Sequence, residues 1–468
     1  MGLLFYPRGG SAQVARYLAT ALEARGHRLT LAAGSLGPQG SAGHAATFFR
    51  GIPLVVARYD DAVAAWEGGG DPMAATFPMH PSFEAKPGVP DRCFGDVAPD
   101  LAERAVSAWG ELLLGSAAFA ASDVLHLHHL GTLHAAARRM LPGLPVVTHL
   151  HGTDLKFIAR VRDRASDAGP YGRWWADRMT QLARDAAATI CISPHDHGEA
   201  VRLLDLDPES IEVVPNGVDV ARFAASRPDE PERLAAWQRW IADEPLAWTE
   251  WDSTPGSLRV SGGQVREAFV DESGALRPVL LFVGRFLAFK RVPLLVRAYA
   301  RARDEHGVEA PLVVWGGAPG EWEGEHPVTV ARECGLLGRR PSVFFVGWRG
   351  HDELPRGLAC SDVFVAPSTG EPFGQVFLEA MSVGLPVIGT LSGGPPSFVN
   401  TVPGEEDGWL IAPDDERALA TAIATATLDV NERRRRGANA ARHVRDSWSW
   451  DTIAARVETL YERVLTTA

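Results

Sequence analysis

The feature that most constrains the fold is the alternation of short apolar runs with longer amphipathic runs. The chain opens with the apolar run LLFYP, the turn RGGS, the amphipathic run AQVARYLATALEARG and the apolar run HRLTLAAG. Two apolar runs of strand length joined through a helical run predict a βαβ unit, with parallel strands and a right-handed crossover. Similar strand-like runs follow in DVLHLHH, PVVTHLHG, ATICIS and IEVVPNGVD.

A second series of the same kind begins at PVLLFVGRF. It continues with the helical run RVPLLVRAYARARDEHG and then with APLVVWGG, SVFFVGW, LACSDVFVAPS, PVIGTLSGG and GWLIAP. With 468 residues, the chain is also longer than one ordinary hydrophobic core organises. We therefore predict the α/β class, with two Rossmann-like doubly wound domains that face each other across a cleft and bind ligands at the carboxyl ends of their strands.

The two series set the expected domain limits. We predict an N-terminal domain at 1–217, a second domain at 218–450, and a final amphipathic helix at 451–468 that packs back on the N-terminal domain.

Two segments interrupt the alternation. Residues 66–100 are too rich in Gly and Pro for regular structure. Residues 225–277 form an insertion in which Leu234, Trp237 and Ile241 fit one face of a helix. This insertion is expected to cover the second domain, with an aromatic platform for a substrate as the alternative. Its tryptophans are Trp237, Trp240, Trp248 and Trp251.

Charge and cysteine content exclude several classes of function. Lys and Arg number 46 against 58 Asp and Glu, a net charge of −12 that argues against nucleic acid as the main partner. The cysteines (Cys93, Cys191, Cys334 and Cys360) form no C-x-x-C pair, which predicts neither a zinc site nor a disulfide framework. No apolar run could span a bilayer and no signal-peptide layout opens the chain, so we expect a cytoplasmic protein; a peripheral membrane contact stays open.

Two turns after strands have the chemistry of an anion site. The turn RGGS places Gly9 and Gly10 at the start of a helix, where backbone N–H groups favour phosphate. The G-x-G-x-x-G fingerprint of dinucleotide-binding proteins is absent from this turn. In VGRFLAFKR, Arg285 and Lys290 follow a strand directly, and two cations there suit a diphosphate. A solvated basic loop is the alternative for this second turn.

Histidines are concentrated in HLHHLGTLH and THLHGTD. Alternate residues of a strand point to one face, and no carboxylate lies at ligand spacing, so we expect His126 and His128 to line a sheet face and predict no metal site. His151 ends its strand before Gly152, where a side chain enters the predicted cleft; a structural role is the alternative. The histidines are His126, His128, His129, His134, His149 and His151.

The stretch STGEPFGQVFLEAMSVGLP holds two carboxylates eight positions apart. Glu371 precedes a helix that starts near Gly374, and Glu379 lies about five residues into it, roughly 7 Å along its axis. Carboxylates accept hydrogen bonds from vicinal hydroxyls, so one carboxylate at each end of a diphosphate site suits a nucleoside diphosphate sugar.

These motifs together resemble the retaining glycosyltransferases of family 4, which have the GT-B fold of two Rossmann-like domains. The stretch EPFGQVFLEA is similar to the E-x7-E motif of that family, and VGRFLAFKR, HGTD, VVPNGVD, GLPVIGT and SGGPP follow in its order. The resemblance makes 1–217 the acceptor-side domain and 218–450 the nucleotide-sugar domain.

The resemblance also implies roles for single residues. Glu371 would hold the hydroxyls of the donor sugar with the backbone of Phe373 and Gly374, and Glu379 would hold the ribose. Arg285 and Lys290 would clamp the diphosphate. We place Arg285, Lys290, Glu371 and His151 in catalysis, Gly10, Phe373, Gly374, Gln375 and Glu379 in donor binding, and Asp154 and His129 on the acceptor side.

The implied reaction moves a hexose from a UDP-sugar, or secondly a GDP-sugar, to a hydroxyl of a small molecule or soluble saccharide. The acceptor would attack on the face of the leaving group, the configuration would be retained, and no metal or other cofactor would be required because the cations stabilise the diphosphate. The alternatives are a sugar-nucleotide epimerase of the same fold and a non-catalytic sugar-nucleotide sensor.

Overall fold

The computed structural model describes residues 1–84, 88–163, 168–224 and 226–467. Residues 85–87 of the Gly/Pro-rich segment, Ala225 of the insertion and Ala468 of the final helix therefore lie outside the described residues.

The chain divides into two compact units. Unit 1 contains Met1–Asn216 together with the C-terminal segment that begins at Trp450, and unit 2 contains Gly217–Ser449. Each unit has its own parallel sheet.

Unit 1 is built on seven strands with helices between them. The strands are β1 (Gly2–Leu3), β2 (Leu31–Ser35), β3 (Leu54–Arg58), β4 (Leu125–His128), β5 (Val146–His149), β6 (Ala188–Cys191) and β7 (Ile211–Val213). They are all parallel and lie in the order β3-β2-β1-β4-β5-β6-β7. The helices of this part of the chain are α1 (Gly9–Ala24), α2 (Ala45–Phe48), α3 (Asp60–Glu67), α4 (Pro99–Leu114), α5 (Ala117–Ala120), α6 (Thr132–Met140), α7 (Thr153–Asp163), α8 (Gly172–Arg184) and α9 (Pro194–Leu204).

Unit 2 repeats the plan with six parallel strands. They are β8 (Leu280–Gly284), β9 (Leu312–Gly316), β10 (Val343–Gly347), β11 (Val363–Val365), β12 (Val387–Thr390) and β13 (Gly408–Ile411). Their order is β10-β9-β8-β11-β12-β13. The helices are α10 (Glu230–Gln238), α11 (Gly262–Phe269), α12 (Val292–His306), α13 (Pro327–Glu333), α14 (Leu354–Ala359), α15 (Gln375–Ser382), α16 (Glu416–Leu428) and α17 (Val430–Ser447).

Both sheets reverse their strand order at one point, between β1 and β4 in unit 1 and between β8 and β11 in unit 2. In open α/β sheets, ligands bind beyond the carboxyl ends of the strands at such a switch point. The predicted α/β class with two Rossmann-like doubly wound domains is thereby confirmed, and each sheet offers one place where a ligand is expected.

The last helix, α18 (Trp450–Thr467), packs against α1 in unit 1. Its buried face carries Ile453, Val457 and Leu460, the spacing of an amphipathic helix. The hydroxyl of Tyr461 lies 2.6 Å from Nδ1 of His126 on β4, which connects this helix to the sheet.

The Gly/Pro-rich segment is short of regular structure, as predicted, but it is packed into unit 1. Among its described residues, two short 3₁₀ turns precede α4, at Pro72–Ala74 and Phe94–Asp96. Asp91 is buried and accepts a hydrogen bond of 2.6 Å from Nη2 of Arg8, the residue before α1. The segment is therefore held against the loop that follows β1.

The tryptophans of the insertion form core contacts in unit 2. Trp237, Trp240 and Trp248 are buried, and the ring of Trp240 lies 5.2 Å from that of Trp237 and 5.0 Å from that of Trp315 on β9. Of the insertion's tryptophans, only Trp251 is largely exposed, at 64%. This arrangement favours the covering role over a platform for substrate.

Replacing Trp237 by alanine is expected to destabilise unit 2 by about 3–5 kcal/mol, because a fully buried ring would be replaced by a cavity. Urea unfolding followed by circular dichroism measures this. Trp251→Ala is the matched control, and we expect it to cost no more than about 1 kcal/mol for its cation–π contact with Arg332. Equal losses for the two variants would contradict the covering role.

Candidate functional site

The switch point of unit 2 brings Lys290 and Glu371 together. Lys290 lies in the loop that follows β8, and Glu371 lies in the loop that follows the neighbouring strand β11. The ammonium group of Lys290 donates to Oε2 of Glu371 in an ion pair whose two side chains are only 14% and 12% exposed. The backbone N–H of Thr369 also donates to the carbonyl of Phe289 at 2.7 Å, so the two loops are joined by backbone as well as by charge.

Helix α15 begins beside this pair. Gly374 precedes it with a φ of 98°, a conformation that favours glycine, and no side chain caps the helix start. The first N–H groups of a helix have no partner within the helix and attract anions. The side chain of Gln375 is oriented by a hydrogen bond in which its Nε2 donates to the carbonyl of Gly217 at 2.6 Å. The ring of Phe373 packs on the ring of Phe398.

The second glutamate of the motif is also buried. Glu379 lies on α15 with 6% exposure, and its Oε1 is 3.2 Å from Nε2 of His351 in the loop after β10. Sequence reasoning missed His351. The available signal was its position shortly after a strand, in SVFFVGWRGH, where loop residues reach the carboxyl edge of the sheet.

A third loop, after β12, packs against the loop of Glu371. The N–H of Gly394 donates to the carbonyl of Glu371 at 2.8 Å, and the N–H of Gly370 donates to Oγ of Ser392 at 3.0 Å. A Cβ atom at Gly394 would lie 2.0 Å from the carbonyl oxygen of Phe373, so only glycine fits there. The SGGPP motif therefore shapes the loop that carries the first glutamate.

Arg285 is the exposed member of the group in unit 2. It follows β8 directly, and within the described residues no hydrogen bond or ion pair engages its guanidinium. Its side chain is therefore available to an external anion. Lys290, in contrast, must break its ion pair with Glu371 before its ammonium group can bind an anion.

Gly394→Ala is expected to lower the stability of unit 2 by about 1–3 kcal/mol, because the new methyl group would meet the backbone of Phe373. Gly262→Ala is the control, since a Cβ atom at Gly262 has no atom within 4 Å. Thermal melting followed by circular dichroism compares the two variants. A melting temperature of Gly394→Ala equal to that of the control would show that the loop tolerates a side chain.

Unit 1 places its histidines on one sheet region. His128 on β4 pairs in register with His149 on β5. Nε2 of His126 lies 3.1 Å from Nδ1 of His149, and Nδ1 of His128 lies 2.9 Å from Nε2 of His151. His151 is 9% exposed, and burial lowers its pKa well below the ordinary value, so its imidazole is neutral at neutral pH.

Asp154 and His129 lie together at the carboxyl end of this region. Asp154 is fully buried and accepts hydrogen bonds from Nδ1 of His129 at 2.9 Å and from the N–H of Leu130 at 2.8 Å. Burial alone would raise the pKa of the Asp154 carboxyl, but His129 and the backbone N–H groups outweigh it and lower this pKa. The carboxylate therefore fixes the loop that follows β4.

Gly10 lies in the exposed first turn of α1. Gly9 before it has a φ of 70°, so the tight turn falls on Gly9. No atom lies within 4 Å of a Cβ built on Gly10, so this backbone is open to an approaching group.

Asp196 is a further group at the carboxyl edge of unit 1 that sequence reasoning missed. It lies in the first turn of α9, which follows β6, and its Oδ2 is buried without a hydrogen-bond partner among the described residues. Burial raises the pKa of its carboxyl to about 7. The only signal in the sequence was an aspartate shortly after a strand, in ATICISPHD.

Asp196→Asn is expected to stabilise the protein at pH 8 by roughly 2–4 kcal/mol and by less at pH 5. The folded protein keeps the proton up to about pH 7, whereas the unfolded chain releases it near 3.8, the ordinary pKa of an aspartate carboxyl, so the wild type loses stability as pH rises between these values. Melting temperatures measured from pH 5 to pH 8 test this. The exposed Asp177→Asn is the control, and a variant-minus-wild-type difference that does not grow with pH would contradict the assignment.

Two models of glycosyltransferase families match the chain. The model described as Glycosyltransferase Family 4 matches residues 85–222, and the model described as Glycosyl transferases group 1 matches residues 277–429. The first match lies in unit 1 except for residues 217–222, which belong to unit 2. The second match contains Arg285, Lys290, Glu371 and Glu379.

Relatives and solved structures agree with these matches. An uncharacterized glycosyltransferase of Methanocaldococcus jannaschii is 26% identical over 68% of this chain and 73% of its own length. A D-inositol 3-phosphate glycosyltransferase of Salinispora arenicola is 27% identical over 73% of this chain and 69% of its own. Sucrose-phosphate synthase of Thermosynechococcus elongatus has a TM-score of 0.64 at 20% identity, covering 98% of this chain and 94% of that one. HepE of Anabaena, solved with UDP and glucose, has a TM-score of 0.61 at 18% identity over 98% of both chains.

The two family matches and the fold together show a glycosyltransferase with two parallel-sheet α/β domains, the GT-B fold. The chain belongs to the family 4 type of these enzymes, and it is a transferase. In the described part of the chain, no helix has the length and apolarity needed to cross a membrane.

Proposed function

We propose that this protein is a retaining hexosyltransferase that moves a sugar from a UDP-sugar to an acceptor hydroxyl. The observation that carries the proposal is the ion pair of Lys290 and Glu371 beside the uncapped start of α15. When the ion pair opens, a nucleoside diphosphate sugar offers a new partner to each side chain. Its diphosphate would bind the ammonium group of Lys290, and its sugar hydroxyls would donate to the carboxylate of Glu371.

The same donor would account for the surrounding residues. Arg285 and the N–H groups of α15 would meet the diphosphate with Lys290, and Glu379, oriented by His351, would hold the ribose. Charge that develops on the departing diphosphate would be stabilised by groups already in position, so the proposed transfer needs no metal ion. For His151 and Gly10, which belong to unit 1, contact with the sugar and approach to the diphosphate or the acceptor stay predictions from the family resemblance.

HepE, a protein of the same fold whose structure contains UDP and glucose, supports the choice of UDP before GDP. For the acceptor we propose a small molecule or soluble saccharide, and the D-inositol 3-phosphate glycosyltransferases among the relatives make inositol phosphates and sugar phosphates the first compounds to test. For the location we propose the cytoplasm, because the spacing of the four cysteines predicts no disulfide framework.

Donor binding is tested by calorimetric titration with UDP, GDP, dTDP and ADP. We expect UDP to bind, and Lys290→Ala and Glu379→Ala each to weaken it by roughly 10- to 150-fold, the equivalent of losing a charged hydrogen bond of about 1.5–3 kcal/mol. Glu267→Ala, at an exposed position on α11, is the control. Binding of a nucleotide by both variants with wild-type affinity would refute the roles given to Lys290 and Glu379.

Turnover separates the proposed reaction from its alternatives. With UDP-glucose and a panel of acceptors, we expect release of UDP only when an acceptor is present, and a product with the donor's anomeric configuration by NMR. A changed sugar nucleotide without any acceptor would identify an epimerase. Tight nucleotide binding with no transfer to any acceptor of the panel would favour a sensor.

A further inference from the structure

Three buried imidazoles lie together in unit 1. His126 and His128 are alternate residues of β4, and His149 pairs with His128 from β5. All three are at most 3% exposed, and one ligand nitrogen from each lies within 4.8 Å of the other two. None of the three has a role in the proposed sugar transfer.

The hydrogen bonding of these rings is incomplete. Nε2 of His128 and Nε2 of His149 are buried and have no hydrogen-bond partner among the described residues. A buried polar atom without a partner carries a desolvation cost of about 1–3 kcal/mol. Nε2 of His128 therefore calls for a ligand that accepts its lone pair.

The outer nitrogens of two rings are already held. Nδ1 of His126 contacts the hydroxyl of Tyr461 at 2.6 Å, and Nδ1 of His128 contacts Nε2 of His151 at 2.9 Å. Metal-ligating histidines in proteins have their second nitrogen fixed by an outer hydrogen bond in this way. The arrangement leaves Nε2 of both rings as the candidate ligand atoms; Nε2 of His126 would exchange its present contact with Nδ1 of His149 for the ion.

The spacing of the rings suits a tetrahedral ion. Two nitrogens that bind one Zn²⁺ ion at about 2.0–2.1 Å lie about 3.3 Å apart. Nε2 of His126 and Nδ1 of His149 are 3.1 Å apart, and the ring centroids of the three pairs are 4.9–5.2 Å apart. Imidazole nitrogens are ligands that zinc, copper and nickel accept readily.

We propose that His126, His128 and His149 form a binding site for a divalent transition-metal ion, with Zn²⁺ as the expected occupant. The three neutral rings would supply three ligands and leave a fourth position open, as in other three-histidine zinc sites. This proposal departs from the expectation, drawn from the sequence, that His126 and His128 line a sheet face and that the chain holds no metal site.

Burial supports this assignment by keeping the ligands unprotonated. Desolvation lowers the pKa of each of the three rings well below its ordinary value. A metal ion binds the neutral imidazole, so no proton has to be displaced at neutral pH.

The ion would also stabilise unit 1. The outer contact of His126 is Tyr461 on α18, so a bound ion would fix the ring to which the C-terminal helix is attached. A ligand that binds only the folded state raises stability in proportion to the logarithm of its concentration over its dissociation constant.

The first experiment uses the tag-free full chain. The chain is unfolded in the presence of a chelator, which removes bound metal, and is then refolded in the presence of Zn²⁺ or Co²⁺. We expect about one ion per folded chain by elemental analysis, and a visible cobalt spectrum of tetrahedral type. A folded protein that retains less than about a tenth of an ion per chain after desalting would overturn the proposal. This readout is independent of transferase activity, so its failure would leave the proposed sugar transfer standing.

The second experiment compares His128→Asn with His134→Gln. His134 is an equally buried histidine outside the three-ring group, bonded to Thr148 at 3.2 Å. We expect His128→Asn to lose at least tenfold in Zn²⁺ affinity and His134→Gln to keep the wild-type value. Equal affinities in the two folded variants would place the ion elsewhere and overturn the site. If His128→Asn does not fold, the wild-type cobalt spectrum decides, because an ion held by surface groups gives an octahedral spectrum.

Discussion

The ion pair between Lys290 and Glu371 is the interaction on which the candidate site of unit 2 depends. It joins the loops of β8 and β11, the two strands between which the sheet reverses its order. The loop of β12 then packs on the backbone of Glu371 through Gly394. Because the three loops share these contacts, the helix start at Gly374 and the carboxylate before it are fixed relative to each other.

Unit 1 uses buried polar groups for a similar purpose. The carboxylate of Asp154 holds the loop after β4 through His129 and the N–H of Leu130, and His151 bonds His128. These bonds satisfy some imidazole nitrogens and leave others without a partner in the described residues. The carboxyl edge of this sheet is therefore ordered by polar contacts between buried side chains and loop backbone.

The amount that could be predicted from sequence differs between fold and site. Apolar runs of strand length fixed the class of fold, and the spacing of Glu371 and Glu379 indicated a helix start between two carboxylates. The partner of Glu379, His351, could not be found in this way, because the two residues approach each other only once β10 and α15 share a unit. The unpaired carboxyl of Asp196 escaped for the same reason, since burial is a property of its neighbours.

Sequence by itself determined the local order of strands, turns and helices, and with it the chemistry available at each strand end. The alternating pattern of a strand and the three-to-four-residue pattern of a helix extend over a few neighbouring residues. They can therefore be recognised without knowing which other elements pack against them. Only the tertiary structure decided which of these groups meet: the register of β4 with β5 gathered three histidines, and the reversal of strand order brought Lys290 to Glu371. Such contacts join residues far apart in the chain, and their geometry is set by how strands pair and pack.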